Sequence, residues 1–287
     1  MSHPFGELSA QRKALGAALR RLRRAAGLSG EQIAERVGLS QSQVSRIELG
    51  DRAAPAAVAE RWARAAEAAD QDMAEVLALA EAAATQAISW RRAMTRGLGR
   101  LQQDTQEVEA TAATILNWQP LGIPGLMQVP EYARRLFAAG YPSPGEQDVA
   151  AGVAARMARQ VILYEESRRF EFVMTSASLY WRPGPVSMMR AQLDRVSTIA
   201  ALGNVTVGII PLGTEVTAWC DHGFDIFDDR GEAGLPVVHV ENLTSALNVE
   251  DPEDVAAYRD AFSRLREAAV TGEEARHLIA AAATEFA

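Results

Sequence analysis

A short segment at residues 40–46, with the sequence SQSQVSR, carries three serines, two glutamines and one arginine around a single valine. Side chains of these types donate and accept hydrogen bonds at base edges and at phosphates, so the chemistry they suit is nucleic-acid contact. Wound as a helix from Gln41 at about 100° per residue, the segment places Val44 and Ile47 together on one side. The opposite, outward side carries the polar residues Gln41, Ser42, Ser45 and Arg46.

A second set of reactive side chains lies near the C-terminal end, where Cys220, Asp221 and His222 are consecutive and His239 and Glu241 follow on a later run. These types could ligate a metal or form a thiol nucleophile, but the paired CxxC or HxxxH spacing of a zinc site is missing. A thiolate nucleophile also needs an oriented base, which adjacency in sequence does not supply. Since no GxGxxG, Walker or GxSxG motif occurs either, we predict no metal, no cofactor and no enzymatic activity.

A third set, Arg156, Arg159 and Gln160, lies within about one helical turn and could bind an anion or a carboxylate. The alternative is that these arginines pair with buried acids of their own domain.

The elements that must position the first segment are short, well-capped helices. Ser40 suits the N-cap of a helix that Gly50 ends, and residues 28–38 repeat the arrangement with Ser29 as N-cap. A small residue at Ala34, a glycine at Gly38, and branched residues six and nine positions later form the skeleton of a helix-turn-helix. A helix before it (residues 14–27) and two after it (around 55–69 and 73–83) complete five.

Residues 14–80 resemble the lambda-repressor-like, XRE-type DNA-binding domain, through the pattern LRRLRRAAGLS…IAERVGLSQSQVSRIELG. The resemblance implies base reading by Gln41, Ser42 and Arg46, backbone contact near Ser40 and Ser45, and a structural pair between Arg23 and Glu48. The predicted DNA-binding set is therefore Ser40, Gln41, Ser42, Gln43, Ser45, Arg46 and Arg52. The sequence departs from the family at Gly30, where members usually have a glutamine that contacts a phosphate, so that side-chain contact does not carry over.

Charge is distributed unevenly along the chain. Residues 1–52 hold nine basic and five acidic residues, a balance of +4, whereas the whole chain carries −8, which leaves −12 on residues 53–287. A basic N-terminal part on an acidic chain suits double-stranded DNA as the partner of the first domain only. No stretch approaches the ~20 apolar residues of a membrane span, and the single cysteine suits a reducing compartment, so we expect a cytoplasmic protein.

The rest of the chain predicts a second domain. Residues 86–108 form one helical stretch that we expect to link the domains, with the first domain at 10–85 and the second at 109–284. Short runs rich in β-branched residues, separated by turns and mixed with helices, indicate an α+β fold with a small sheet of four or five strands. The fold class is thus mainly α, with a five-helix N-terminal domain and an α+β regulatory domain.

Residues 10–278 are similar to actinobacterial XRE-type regulators described as antitoxin-like, through TILNWQPLGIPGLMQVPEYARRLF, ARMARQ, MMRAQLDRV and VTVGIIPLG. The resemblance implies that the second domain senses a small partner protein, often encoded nearby, or a ligand. Ser176 stands where members tend to have an acidic residue, so a role for that carboxylate does not carry over.

We therefore expect a transcription regulator whose second domain receives a small protein partner or a small-molecule effector. An antitoxin-like protein that mainly sequesters a partner, and an enzyme active in the second domain, are the alternatives. The effector is expected near the loop 121–128 and the following helix, where Ile123, Leu126 and Met127 would form an exposed apolar surface; the alternative is that they cap the core of the sheet. Arg156, Arg159 and Gln160 are further candidates for binding the ligand or partner. A homodimer on a pseudo-palindromic site is also expected, with the apolar stripe Val255, Tyr258, Phe262 and Leu265 serving the core or the interface.

Overall fold

The computed structural model describes residues 8–50, 54–229 and 236–286. Contacts between residues divide the chain into two units. The first is built on the helices up to Ala84 and also takes in Leu247–Val255. The second comprises Ser89–Asp229, Val238–Ala246 and the chain from Ala256 onward.

Among its described residues the first unit has five helices, as the sequence predicts. They are α1 Leu8–Ala25, α2 Gly30–Val37, α3 Gln41–Leu49, α4 Ala56–Ala65 and α5 Asp70–Ala84. Each contributes apolar side chains to one core, in which Trp62 is fully buried and donates its indole N–H to the backbone oxygen of Leu19 at 3.1 Å. That bond satisfies the one polar atom of a large aromatic side chain, which lets it fill the centre of a small domain.

The turn between α2 and α3 forms for the reasons that the sequence indicates. Ser29 and Ser40 are the N-caps of α2 and α3, and Gly38 ends α2 at a φ of 71°, where a residue with a Cβ would be strained. A second glycine, Gly16 of α1, permits a close helix crossing, because a Cβ there would lie 2.3 Å from the backbone oxygen of Ile47. Together these glycines set the approach of α3 to α1.

The stretch expected to be one linker helix is divided instead. It contains β1 Thr85–Ser89, the short helix α6 Trp90–Ala93, a 3₁₀ turn Met94–Arg96 and α7 Leu98–Thr111. Gly97, at a φ of 84°, separates the last two and cannot continue a right-handed helix. The single-helix prediction is therefore wrong for residues 86–108. From Ser89 onward the segment belongs to the second unit, and Leu98 packs in a small core with Phe137 and Val153.

The remaining helices and strands build the second unit, except that Val237 and Leu247–Val255, which include the end of β7 and the start of α12, belong to the first unit. The helices are α8 Pro130–Ala139, α9 Glu146–Arg159, α10 Ala177–Tyr180, α11 Val186–Ile199, α12 Pro252–Glu267 and α13 Gly272–Thr284, with 3₁₀ turns at Gly125–Met127 and Gln160–Tyr164. The strands are β2 Ala112–Gln119, β3 Arg169–Thr175, β4 Val205–Ile210, β5 Phe224–Asp229, β6 Val237–Glu241 and β7 Ser245–Val249. A mixed sheet with helices confirms the α+β prediction.

Within the part of the chain that the structure describes, the sheet has seven strands in the order β1-β7-β6-β5-β2-β3-β4, more than the four or five expected. β2, β3 and β4 run parallel, whereas β5 runs antiparallel to β2. The register places Asn117 of β2 beside Phe172 of β3 and Asp225 of β5. The sequence missed β1 (TQAIS) and β7 (SALNV), because alanine, serine and asparagine give them little intrinsic strand preference and their pairing decides their conformation.

Burial settles one further prediction. Of the stripe assigned to core or interface, Val255, Phe262 and Leu265 are buried, so the core takes these three side chains. Among the residues that the structure describes, no helix is both long enough and apolar enough to cross a membrane.

Candidate functional site

The polar face of α3 presents the residues predicted to contact DNA. Val44 and Ile47 are buried in the core of the first unit, which turns the opposite face of the helix outward. On that face Gln41 and Ser42 are exposed, and Ser45 and Arg46 are half-buried. Arg52 lies outside the described residues.

Ser40 and Gln43 have a structural task at the start of α3. The Ser40 hydroxyl accepts the backbone N–H of Gln43 at 3.3 Å, and the Gln43 amide oxygen accepts the backbone N–H of Ser40 at 2.8 Å. This capping box satisfies donors that the first turn of a helix otherwise leaves unpaired. The prediction that Gln43 contacts DNA overlooked this use of its oxygen.

The predicted structural pair is brought together. Arg23 of α1 donates to both oxygens of Glu48 of α3, at 2.5 and 2.8 Å, and also to the backbone oxygen of Leu28 at 2.8 Å. The hydrogen bond to Glu48 raises the pKa of Arg23. Because the contact is bidentate and largely shielded from water, it fixes the orientation of the recognition helix against α1.

Gly30 lies beside the recognition helix. A Cβ at Gly30 would lie 3.9 Å from the Gln41 side-chain nitrogen and 4.0 Å from its Cγ. The position is thus adjacent to a predicted base-reading side chain, but the glycine offers no side-chain group to a phosphate.

The second unit contains a cavity of about 460 Å³. This volume lies in the range of small-molecule sites, about 300–1,000 Å³. Its walls come from the segment that follows the first unit, from the loop around residues 121–128, from α8 and α9, and from the sheet. Several large apolar side chains that line it are unusually open to solvent, and Leu243 is 78% exposed. The aromatic and large apolar lining residues include Trp90, Leu98, Leu121, Phe137, Tyr141, Phe172, Trp181 and Leu243.

Charged side chains from several elements also line this cavity. They are Glu109 of α7, Arg156 and Arg159 of α9, Asp225 of β5, and His239 and Glu241 of β6. Arg159 and Glu109 are both buried, and the Arg159 Nη2 lies 3.4 Å from the Glu109 Oε1. Burial raises the pKa of Glu109 to about 7, although the charge of Arg159 opposes the shift.

Arg156 is held among neutral partners. It donates to Gln102 at 3.0 Å and to Gln128 at 2.6 Å, and its guanidinium lies 4.1 Å from the centre of the Phe137 ring. Burial and the neighbouring Arg159 lower the pKa of Arg156 to about 9, so it stays charged at neutral pH. The cation is thus fixed in orientation beside the cavity.

On the sheet side, the Asn117 amide donates to Asp225 at 2.8 Å, and His239 lies 3.5 Å from Glu241. Burial raises the pKa of Asp225, opposed by the Asn117 hydrogen bond. For Glu241 desolvation acts in the same direction, but the hydrogen bond and charge of His239, together with the charges of Arg156 and Arg159, outweigh it and lower the pKa. The two neighbouring acids therefore differ in how readily they take up a proton.

The structure separates the six residues predicted for the effector site. Ile123, Leu126, Arg156 and Arg159 line the cavity, whereas Met127 and Gln160 do not. The prediction that the loop forms an exposed apolar surface is wrong, because Ile123, Leu126 and Met127 are all buried and help to close the core. Gln160 donates to the backbone oxygens of Gly125 and Gln128 at 3.3 and 2.8 Å, which holds the loop in place.

Sequence reasoning missed the acidic and amide side chains of the cavity, since Glu109, Asn117 and Asp225 lie on three separate elements. One signal was present in Asn117, a buried amide within the otherwise apolar run ATILNW of β2. Polar residues in such runs need a partner, and they often face a site.

The turn at Cys220, Asp221 and His222 makes contacts within itself and with Tyr258. The Cys220 thiol donates to the backbone oxygen of His222 at 3.3 Å, and His222 lies near Asp221 and Tyr258. Burial raises the pKa of the Cys220 thiol, which opposes thiolate formation. Within the described ranges no group of three or more histidine, cysteine or acidic side chains has a metal-binding arrangement.

Comparison with known proteins gives two matches to protein families. Residues 102–281 match the family described as Domain of unknown function (DUF5753), and residues 14–77 match a helix-turn-helix domain. No curated protein matches the sequence. Among solved structures, the archaeal chromatin protein TrmBL2, whose structure is described as showing a novel mode of DNA binding, aligns at 13% identity and a TM-score of 0.32. The alignment covers 70% of this chain and 59% of the TrmBL2 chain.

Proposed function

The chain belongs to the DUF5753 family and carries a helix-turn-helix domain ahead of the family region, and from that premise we propose a sequence-specific transcription regulator that a ligand controls. The observation that carries the DNA-binding part is the outward face of α3. Its apolar side is buried, Arg23 and Glu48 hold its orientation, and Gln41 and Ser42 are exposed on a well-capped helix. A rigid helix that presents amides and hydroxyls suits base reading in the major groove.

Control through the second domain is supported by the cavity. Four of its lining residues, Trp90, Met94, Leu98 and Leu101, lie in the segment that directly follows the first unit in the chain. A ligand held there contacts residues that follow Ser89 closely in the chain, and Ile88–Ser89 is one of the points at which the chain passes from the first unit to the second. The ligand shifts DNA binding if it favours one arrangement of that segment over another.

Genome-wide mapping of the full-length protein in its native host tests the DNA-binding part. We expect discrete enriched sites that share a sequence motif and disappear in a Gln41→Ala/Arg46→Ala variant, together with changed transcription of adjacent genes. Enrichment spread evenly over the genome, or sites that persist in the variant, would contradict the proposal.

The control part needs a variant that blocks the cavity and leaves α3 intact. Leu121 lines the cavity and is 48% exposed, so Leu121→Trp adds bulk at a position that does not belong to the packed core. We expect this variant to bind the same DNA sites but to lose the response of adjacent genes to growth conditions. Regulation identical to that of the unmodified protein would show that the cavity does not control DNA binding.

A further inference from the structure

Three buried polar atoms beside the cavity lack a hydrogen-bond partner among the described residues. They are Oε2 of Glu109, Oδ1 of Asn117 and Nε of Arg159. All three side chains line the cavity and are at least nine-tenths buried. Native proteins leave few such atoms unpaired, and each calls for an explanation, such as a bound water, ion or ligand. Two acceptors and one donor are therefore unpaired at one end of a cavity of small-molecule size.

The charge at this end is nearly balanced. Two arginines face three carboxyl groups and His239, and the raised pKa values of Glu109 and Asp225 let these acids take up a proton more readily than usual. A ligand group with a net positive charge meets Arg156 and Arg159, and one with a net negative charge meets the carboxylates. Neither sign is favoured, so a head group without net charge suits this end best.

The other walls are apolar and partly aromatic. Trp90 donates its indole N–H to the backbone oxygen of Asn242 at 2.8 Å, which fixes the ring at the side of the cavity. Tyr141, Trp181 and Leu243 line the cavity and remain partly or largely exposed. Rings and branched side chains left open to solvent in this way gain free energy when a flat apolar group covers them.

We infer that the cavity binds a small organic molecule with a flat apolar body and a head group of no net charge. The head donates hydrogen bonds to the Glu109 carboxylate and the Asn117 carbonyl, and accepts one from the Arg159 guanidinium. This inference rests on the proposed function, since it names the class of ligand that the regulator senses. Two chemical sources fit the same pattern, an amide and a zwitterionic amino acid.

Calorimetric titration of the full-length protein with four indole compounds of different head charge tests the inference. N-acetyl-L-tryptophanamide and L-tryptophan carry no net charge, whereas tryptamine is a cation and indole-3-acetate an anion. We expect at least one of the neutral pair to bind about 10-fold more tightly than both charged compounds, and the tighter of the two identifies the amide or the zwitterion. Equal or tighter binding of a charged compound, or no binding of any of the four, would overturn the inference.

Two matched variants locate the binding. Glu109→Gln replaces the unpaired acceptor and is expected to weaken binding of the neutral compounds about 10-fold. Asp104→Asn is the control, because Asp104 is a fully buried carboxylate on the same helix that pairs with Arg96 and Arg100 and does not line the cavity. Should Glu109→Gln not fold, Leu121→Trp takes its place and is expected to abolish binding. Affinity unchanged in the folded cavity variant, or reduced equally by Asp104→Asn, would refute the assigned site.

These titrations contain no DNA, so they fail independently of the proposed function. Binding of a neutral indole compound by a protein that recognises no DNA sequence would keep the ligand assignment and remove the regulatory role. Sequence-specific DNA binding without binding of any indole compound would keep the DNA-binding part of the proposed function and remove the ligand assignment.

Discussion

At the residue scale, Gln41 and Gln43 show how two side chains of one type receive different tasks. Gln41 is exposed on the outward face of α3, whereas the Gln43 amide is tied into the capping box with Ser40. The helical period alone separates them, since two positions along a helix is about 200° of rotation. The pair therefore provides a matched test of base reading.

We expect Gln41→Ala and Arg46→Ala to weaken binding to the selected DNA sequence far more than binding to random DNA. A good bidentate base contact contributes about 1–3 kcal/mol of discrimination. Gln43→Ala serves as the control, because it should lower thermal stability through the lost cap, at a cost of about 1 kcal/mol, and keep the ratio of the two affinities. Competition binding at fixed salt measures both affinities. Equal losses on both DNAs would assign Gln41 and Arg46 to phosphate contact instead.

The pKa of Glu109 gives a second residue-scale prediction. Because burial raises this pKa from 4.5 to about 7, the folded state binds the proton more tightly than the unfolded state. The stability that this proton contributes is present below about pH 4.5 and is lost as the pH rises to about 7. We expect the free energy of unfolding of the unmodified protein, relative to that of Glu109→Gln, to fall by up to about 3 kcal/mol between pH 4.5 and 7.5.

Urea denaturation of both proteins across this range measures the difference. Asp104→Asn is again the control, because burial raises the pKa of Asp104 only from 3.8 to about 6. The free energy of unfolding of the unmodified protein, relative to that of Asp104→Asn, should therefore stop changing at a lower pH. A difference between the unmodified protein and Glu109→Gln that stays constant with pH would show that the carboxyl is not perturbed.

At the scale of elements, the helix-turn-helix depends on glycines with different tasks. Gly38 ends α2 in a left-handed conformation at a φ of 71°, whereas Gly30 begins the same helix with a conformation open to other residues and with no atom closer than 3.9 Å to an added Cβ. We expect Gly30→Ala to raise the free energy of unfolding by about 0.5–1 kcal/mol, because alanine has less backbone freedom to lose. Gly38→Ala should lower it by about 1 kcal/mol through left-handed strain.

Thermal or chemical denaturation of the two alanine variants compares them within one helix. The same sign for both substitutions would contradict the roles assigned to these glycines. Because Gly30 lies beside Gln41, the DNA affinity of Gly30→Ala also shows how far this position influences the recognition helix.

At the scale of the whole molecule, one short recognition helix offers few base contacts. Two copies bound on successive turns of the duplex, about 34–36 Å apart, provide more of them. We expect the full-length protein to sediment as a homodimer on a pseudo-palindromic site with half-sites 10–10.5 base pairs apart. A monomer both free and on its selected site would exclude this arrangement. The buried Val255, Phe262 and Leu265 serve the core of the protomer, so the dimer contact has to use other residues.

The sequence by itself determined the first domain. Its helices, caps and turn glycines follow from residues close together in the chain, because capping, positive φ and a 3.6-residue apolar period are local properties. The pair of Arg23 and Glu48 was found only through the family pattern, since 25 residues separate them. The α+β class of the second domain also followed from local runs and turns.

Only the tertiary structure decided the cavity and the full extent of the sheet. Glu109, Asn117 and Asp225 come from a helix and two strands, and their proximity depends on the pairing of β2 with β5. The loop at residues 121–128 was predicted to be exposed because its proline and glycine residues indicate a surface turn, yet packing buries Ile123, Leu126 and Met127. Burial depends on which elements meet. Residue types and their spacing determine how a helix begins and ends, because those features depend on neighbours in the chain. They do not determine which elements distant in sequence pack against each other.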